Sequence, residues 1–149
     1  MTLWQDDFVC LLNPDHPGVS NFDLQAYLAS NHIWVSKTGM GAGVGIDPDK
    51  VVRLGWVDHA LAKLGHKRKI SVFTRHYQMP ALLALNNDLV ATLPRKVADM
   101  QAEAASLVVL DPPFKIPSFE LKIAWSPLLQ HHSAHRWLRR TIVDVAQHC

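Results

Sequence analysis

The chain is 149 residues long, 48% apolar and 19% charged, with a formal net charge of +2. That is enough for one domain with a real core or for two small lobes, and too little charge to mark a nucleic-acid surface by itself. No apolar run approaches the roughly 18 residues of a membrane helix, and the opening MTLWQDD lacks the basic-then-apolar pattern of a secretion signal, so the composition reads as a soluble, cytoplasmic protein without membrane contact.

Asp7–Leu12 (DFVCLL) predicts a short apolar strand, and Cys10 within it reads as a buried thiol suited to a reducing compartment. The turn formers Asn13 to Gly18 stop it. Ser20 or Asn21 is placed to cap a helix, with Asp23 in the first turn and Leu24, Tyr27 and Leu28 facing inward. His32–Ser36 (HIWVS) is the next strand. Residues 38–49 then carry four alternating glycines. Glycine backbone can cradle phosphate, but neither GxGxxG nor GxxxxGK[ST] is present, and Asp47-Pro48-Asp49 blocks an immediate helix. This stretch reads as a surface loop.

Trp56–Leu64 predicts an amphipathic helix with Val57, Ala60, Leu61 and Leu64 on one face and Gly65 as its stop. The basic run His66 to Lys69 is placed in water, complementing the helix C-terminus. Ile70–Phe73 predicts a buried strand, and Thr74 to Gln78 a polar and aromatic turn. Met79–Leu85 is a helix with Pro80 near its start, and Leu89–Leu93 a second buried strand. Arg95–Ala105 predicts a helix with Val97, Met100 and Ala104 inward; Leu107–Leu110 is a strand; residues 111–117 form a proline-rich linker. Phe119–Trp125 alternates as a strand. Ser133 is placed to cap a last helix to about His148. Its apolar stripe is Ala134, Leu138, Thr141, Ile142 and Val145, with Arg136, Arg139, Arg140 and Asp144 toward solvent. Strands and helices alternate, which predicts an α/β fold with a mostly parallel sheet and helices on both faces.

Three constellations could carry chemistry. His131 and His135 lie at i, i+4, but no HExxH or nearby carboxylate accompanies them, so no metal site is predicted. No serine sits in a GxSxG elbow. The third is Arg75-His76-Tyr77, in the turn after a strand's carboxyl end, where open α/β sheets bind ligands. Arginine pairs with carboxylates in a fork, and His and Tyr add directed hydrogen bonds and flat apolar faces, which suits a small aromatic or carboxylated ligand.

Four stretches together resemble one family. They are FVCLLNPDHP (Phe8–Pro17), VDHALAKLGHKR (Val57–Arg68), DLVATLPR (Asp88–Arg95), and Ala124-Trp125 with HRWLR (His135–Arg139). In this order they resemble the effector-binding (substrate-binding) domain of LysR-type transcriptional regulators, most like the branch that senses aromatic compounds and flavonoids. The resemblance implies a type-II periplasmic-binding-protein-like fold of two α/β lobes around a cleft. It assigns residues 7–119 to the second lobe, and 120–149 to the returning strand and C-terminal helix of the first. It places the helix-turn-helix and most of the first lobe outside this chain, so DNA would be met only through a domain absent here.

By that resemblance the protein is not an enzyme and needs no cofactor or metal. A small-molecule effector binds between the lobes and shifts their closure. The expected ligand residues are Ser36 and Lys37 after HIWVS, Thr74, Arg75, His76 and Tyr77 after KISVF, and Trp125 at the return crossover. The glycine loop makes the connection after HIWVS longer than the family's. The face of Leu138, Thr141, Ile142 and Val145, with Trp137 beside it, lacks the sheet it would pack on, so a homo-oligomer through the C-terminal helix is expected. Two other classes stay open: a stand-alone ligand-binding or interaction module, and a small metal- or nucleotide-dependent enzyme.

Overall fold

The computed structural model describes residues 1–35 and 54–148. The expected glycine loop, Ser36 and Lys37 lie outside the described residues. The elements are β1 (Thr2–Asp6), β2 (Phe8–Leu12), α1 (Leu24–Ala29), β3 (Asn31–Val35), α2 (Trp56–Lys63), β4 (Lys69–Thr74), α3 (Met79–Leu83), β5 (Leu89–Pro94), α4 (Arg95–Ala105), β6 (Val108–Leu110), β7 (Phe119–Lys122), a 3-10 turn at Pro127–Leu129, and α5 (Ser133–Gln147). They divide into two units, Asp7–Pro117 and Met1–Asp6 with Ser118–Cys149.

The larger unit is built on a five-stranded sheet ordered β4-β3-β5-β2-β6. β3 is parallel to β4 and β5, while β2 is antiparallel to β5 and β6. Four strands therefore run one way and β2 alone runs against them. The mostly parallel sheet stands, with one reversed strand at second position from the edge.

Strand alternation sorts the core into two faces. Val9 and Leu11 of β2, Ile33 of β3, and Ala91 and Leu93 of β5 point to one side, where Ala81, Ala84 and Ala98 of the α3 and α4 segments close an all-apolar cluster. Phe8, Cys10, His32, Val90 and Thr92 alternate to the other side, under α1 and α2. β4 is an edge strand, so its residues alternate between exposed and half-buried rather than being fully buried as its apolar run suggested. Central β5 is buried from Leu89 to Leu93, as expected.

Several local readings shift by a residue or a face. Asp23 is itself the N-cap of α1, accepting from the Ala26 N–H at 2.8 Å. α2 does end at Gly65, whose φ of +77° only glycine adopts cheaply, but Leu64 is left 53% exposed. The inward face of α4 carries Ala98, with Ala102 and Ala105 packed on the core, while Met100 is 75% exposed. Gln101 shares that inner face; a polar residue there hid the true stripe from the apolar pattern.

The smaller unit pairs β1 with β7, antiparallel, from Thr2↔Lys122 to Asp6↔Phe119. The sequence reading missed β1, because TLWQD is too polar for an apolar-run search. β7 ends at Lys122 rather than at Trp125. His132, not Ser133, is the N-cap of α5, and it caps without its side chain. Arg139 is not on the solvent side: its guanidinium lies 4.6 Å from the Trp125 ring centre and donates to the Leu129 and Gln130 carbonyls.

Candidate functional site

β3 and β4 are parallel neighbours whose register shifts by one residue between His32 and Ile33; beyond the shift Val35 pairs with Thr74, and two carboxyl ends finish side by side. The turn 74–77 continues from the second of these ends. Thr74 Oγ1 accepts the His76 backbone N–H at 3.2 Å, which folds the chain sharply back toward α3. Arg75 and His76 are exposed there. Tyr77 is half-buried against the apolar cluster, and burial raises its phenol pKa, so it is a neutral hydroxyl at ordinary pH. Gln101 of α4 donates from Nε2 to the Tyr77 carbonyl and anchors the turn from below. The turn thus carries a guanidinium, an imidazole and a neutral phenol, and is held at one end by the core.

Of the expected ligand residues, the structure brings Thr74, Arg75, His76 and Tyr77 into this one turn. Trp125 belongs to the other unit. Its indole N–H already donates to Gln130 Oε1 at 2.6 Å, and its ring is stacked by Arg139. Ser36 and Lys37 lie outside the described residues.

Beneath α1 and α2 lies a buried polar cluster that the sequence reading did not find. Arg68 forms a two-pronged ion pair with Asp58, Nε to Oδ1 at 2.8 Å and Nη2 to Oδ2 at 2.6 Å, with both side chains at most 5% exposed. Arg68 was placed in the solvated basic run; instead it turns inward from β4's entrance to meet a helix carboxylate. Burial opposes its charge, but Tyr27 and Asp58 outweigh that and raise its pKa. Beside it, the Tyr27 hydroxyl meets Thr92 Oγ1 at 2.9 Å, and Thr92 contacts the Cys10 thiol at 3.7 Å. Burial pushes that thiol's pKa up to about 12, so it is inert. His32 Nε2–H donates to the Tyr27 carbonyl at 2.7 Å, and burial and the Arg68 charge lower its pKa to about 3. The signal for the ion pair was present in the spacing of VD to R; nothing in the sequence said that the arginine points inward.

The other recognisable stretches are clamps too. In the NPDHPG turn, Asn13 Oδ1 accepts the Asp15 N–H at 2.9 Å, and Asn13 Nδ2 donates to the Leu85 carbonyl at 2.8 Å. His16 Nδ1 accepts the Gly18 N–H at 3.0 Å, an approach so close that a Cβ on Gly18 would sit 3.2 Å from that nitrogen. Arg95, which closes DLVATLPR, grips Asp7 at 2.8 and 3.0 Å and Asp111 at 2.9 Å.

The model of the LysR substrate binding domain matches residues 1–147. The chain belongs to the LysR substrate-binding domain family. Among relatives of this LysR chain is the HTH-type transcriptional regulator SyrM of Rhizobium meliloti, 28% identical over 145 residues, which are 97% of this chain and 41% of SyrM. The chain therefore spans less than half of that regulator's length. The regulatory domain of MexT, a transcriptional activator in Pseudomonas aeruginosa, superposes with a TM-score of 0.75 at 29% identity, over 96% of this chain and 63% of that one. The effector binding domain of QuiR, solved in complex with shikimate, superposes at 0.61 with 16% identity, over 99% and 64%. The fold is that of LysR regulatory domains, the type-II periplasmic-binding-protein-like architecture. Among the described residues no helix is long and apolar enough to cross a membrane.

Proposed function

We propose that this chain is the effector-binding part of a transcriptional regulator, that it binds a small aromatic or carboxylated molecule rather than catalysing a reaction, and that the β4 turn holds that molecule. The observation that carries the site is the turn itself: Arg75, His76 and Tyr77 follow a parallel strand's carboxyl end, beside that of β3. Arg75 takes the carboxylate, His76 and Thr74 give directed hydrogen bonds, and the Tyr77 ring offers an apolar wall. Ser36 and Lys37, which follow β3 in the sequence, and Trp125 are kept in the proposed ligand set. QuiR's shikimate is a carboxylated ring, in keeping with this class of ligand. Binding would favour one conformation of the regulator over another and so alter its grip on DNA, which is met through a separate domain. In this reading Asp7–Pro117 is the second lobe, residues 120–149 return to the first, and the protein works in the cytoplasm.

A homo-oligomer through α5 is part of the same proposal. Trp137 is 68% exposed and Val145 58%, and a two-fold axis lets one apolar stripe cover its own copy.

The test is a thermal-shift panel of benzoate, shikimate, a flavonoid and ATP. A ligand at 100 times its dissociation constant adds about 2.7 kcal/mol, a shift of several degrees. An aromatic or carboxylated compound is expected to give it, and Arg75→Ala to weaken the binding about a hundredfold. A shift from ATP alone, or one that survives Arg75→Ala together with His76→Ala, rejects this site.

A further inference from the structure

The larger unit carries a concave site that shares no residue with the β4 turn. It is a groove of about 340 Å³ between α2 and the extended segment that follows β6. Its walls are Trp56, Ala60, Leu64 and Pro117. Trp56, Ala60 and Leu64 recur every fourth residue, so they form one stripe along the helix. Trp56 is 45% exposed and Leu64 53%, which leaves a large apolar surface facing the groove. The Trp56 ring is set edge-on against Phe8, 5.8 Å between centres, so the indole presents a fixed wall rather than a swinging one.

The rim is of one sign. Lys63 from α2 and Lys115 from the opposite segment flank the opening, with His59 a turn before Lys63. No carboxylate lines the groove among the described residues. An apolar trough between two ammonium groups is complementary to a molecule with an apolar body and one anionic head. The volume falls within the range of small-molecule sites, about 300–1,000 Å³. Seven described residues line it, against about 20–30 a side in a stable protein interface, so the occupant is a small molecule and not a chain.

We propose that the groove between α2 and the segment 115–117 binds an amphipathic carboxylate, its hydrocarbon body on Trp56 and Leu64 and its head between Lys63 and Lys115. This site shares no residue with the effector turn, and its occupancy is a separate input to the same domain. Apolar contact supplies most of the affinity, and the paired ammonium groups select the sign of the head.

The test uses three probes of equal length on the full 149-residue chain: octanoate, octanol and octylammonium. Binding is followed by the indole N–H resonances in a nitrogen-15 spectrum, with the Trp56 signal identified by its loss in Trp56→Phe. Octanoate is expected to shift the Trp56 signal at millimolar or lower concentration, octanol to bind about tenfold more weakly, and octylammonium not to bind. The double variant Lys63→Gln, Lys115→Gln is expected to erase the preference for octanoate over octanol. Leu64→Glu, at an exposed position, is expected to abolish octanoate binding with an unchanged circular dichroism spectrum. No movement of the Trp56 signal by octanoate at 10 mM would overturn the proposal. So would equal binding of all three probes, or perturbations confined to residues 74–77.

Discussion

Arg68→Ala is expected to cost the larger unit about 3–5 kcal/mol, a large share of the roughly 5–15 kcal/mol that keeps an ordinary domain folded. The reason is not that the ion pair is strong. Two charges that are at most 5% exposed have given up most of their hydration, and their mutual attraction about repays that. Removing one partner leaves Asp58 charged and dry. Asp58→Ala should cost a similar amount by stranding Arg68. The joint replacement Asp58→Leu, Arg68→Met removes both charges and keeps the volume, so it should recover most of the loss. Urea denaturation followed by tryptophan fluorescence measures all three. Single variants that lose less than 1 kcal/mol, or a double variant no more stable than the singles, would show that the pair is not the buried lock described above.

The second large effect is in acid. His32 has a pKa near 3 in the folded chain against 6.5 when free, because burial and the Arg68 charge oppose its protonation. The unfolded chain therefore binds the proton that the folded chain refuses. The sign follows: the neutral histidine costs nothing above pH 6.5, and stability falls as pH drops from 6.5 toward 3. Between pH 7 and pH 4 the expected loss is about 3 kcal/mol. His16 adds in the same direction, since burial lowers its pKa too. Asp7, held down by Arg95, adds its own loss only near and below its free value of 3.8. His32→Phe removes one of two hydrogen bonds to the Tyr27 carbonyl, which keeps the Ser30 N–H at 3.3 Å, and starts less stable, so the readout is the slope with pH and not the value at pH 7. A wild-type slope equal to that of His32→Phe from pH 7 to pH 4 would remove His32 from the account.

The contrast between these residues and the candidate ligand turn explains what the sequence could reveal. Strands β2, β3 and β5 and helix α4 were legible because their apolar runs and turn punctuation are strong. β1 was not, because a two-stranded pairing needs no apolar run, and its partner lies more than a hundred residues away. Helix phase failed at α4 and α5 for one reason: Gln101 and Arg139 sit on packed faces, and periodicity assumes that polar residues face water. The motifs that carried the family resemblance proved to be clamps: Asn13 and His16 in the first turn, Asp58 with Arg68, and Arg95 with Asp7 and Asp111. Such residues answer to the fold. The proposed ligand turn 74–77 was visible by its position and chemistry and not by any motif.

The pairing of β1 with β7 also sets the order in which the chain can fold. Gln5 bonds to Ser118 across 113 residues, and the Met1 amino group to Ile123 across 122. Closing a floppy loop of that length costs about 4 kcal/mol, more than two short strands and one helix can return. Once Asp7–Pro117 has folded, β2 and the segment after β6 hold the two exits in fixed places, and the same closure becomes nearly free. The β1–β7 pairing is then late and dependent: it forms once the larger unit has folded and is lost when that unit opens. Damage to the Asp58–Arg68 lock would therefore also be felt in α5, which contains neither residue.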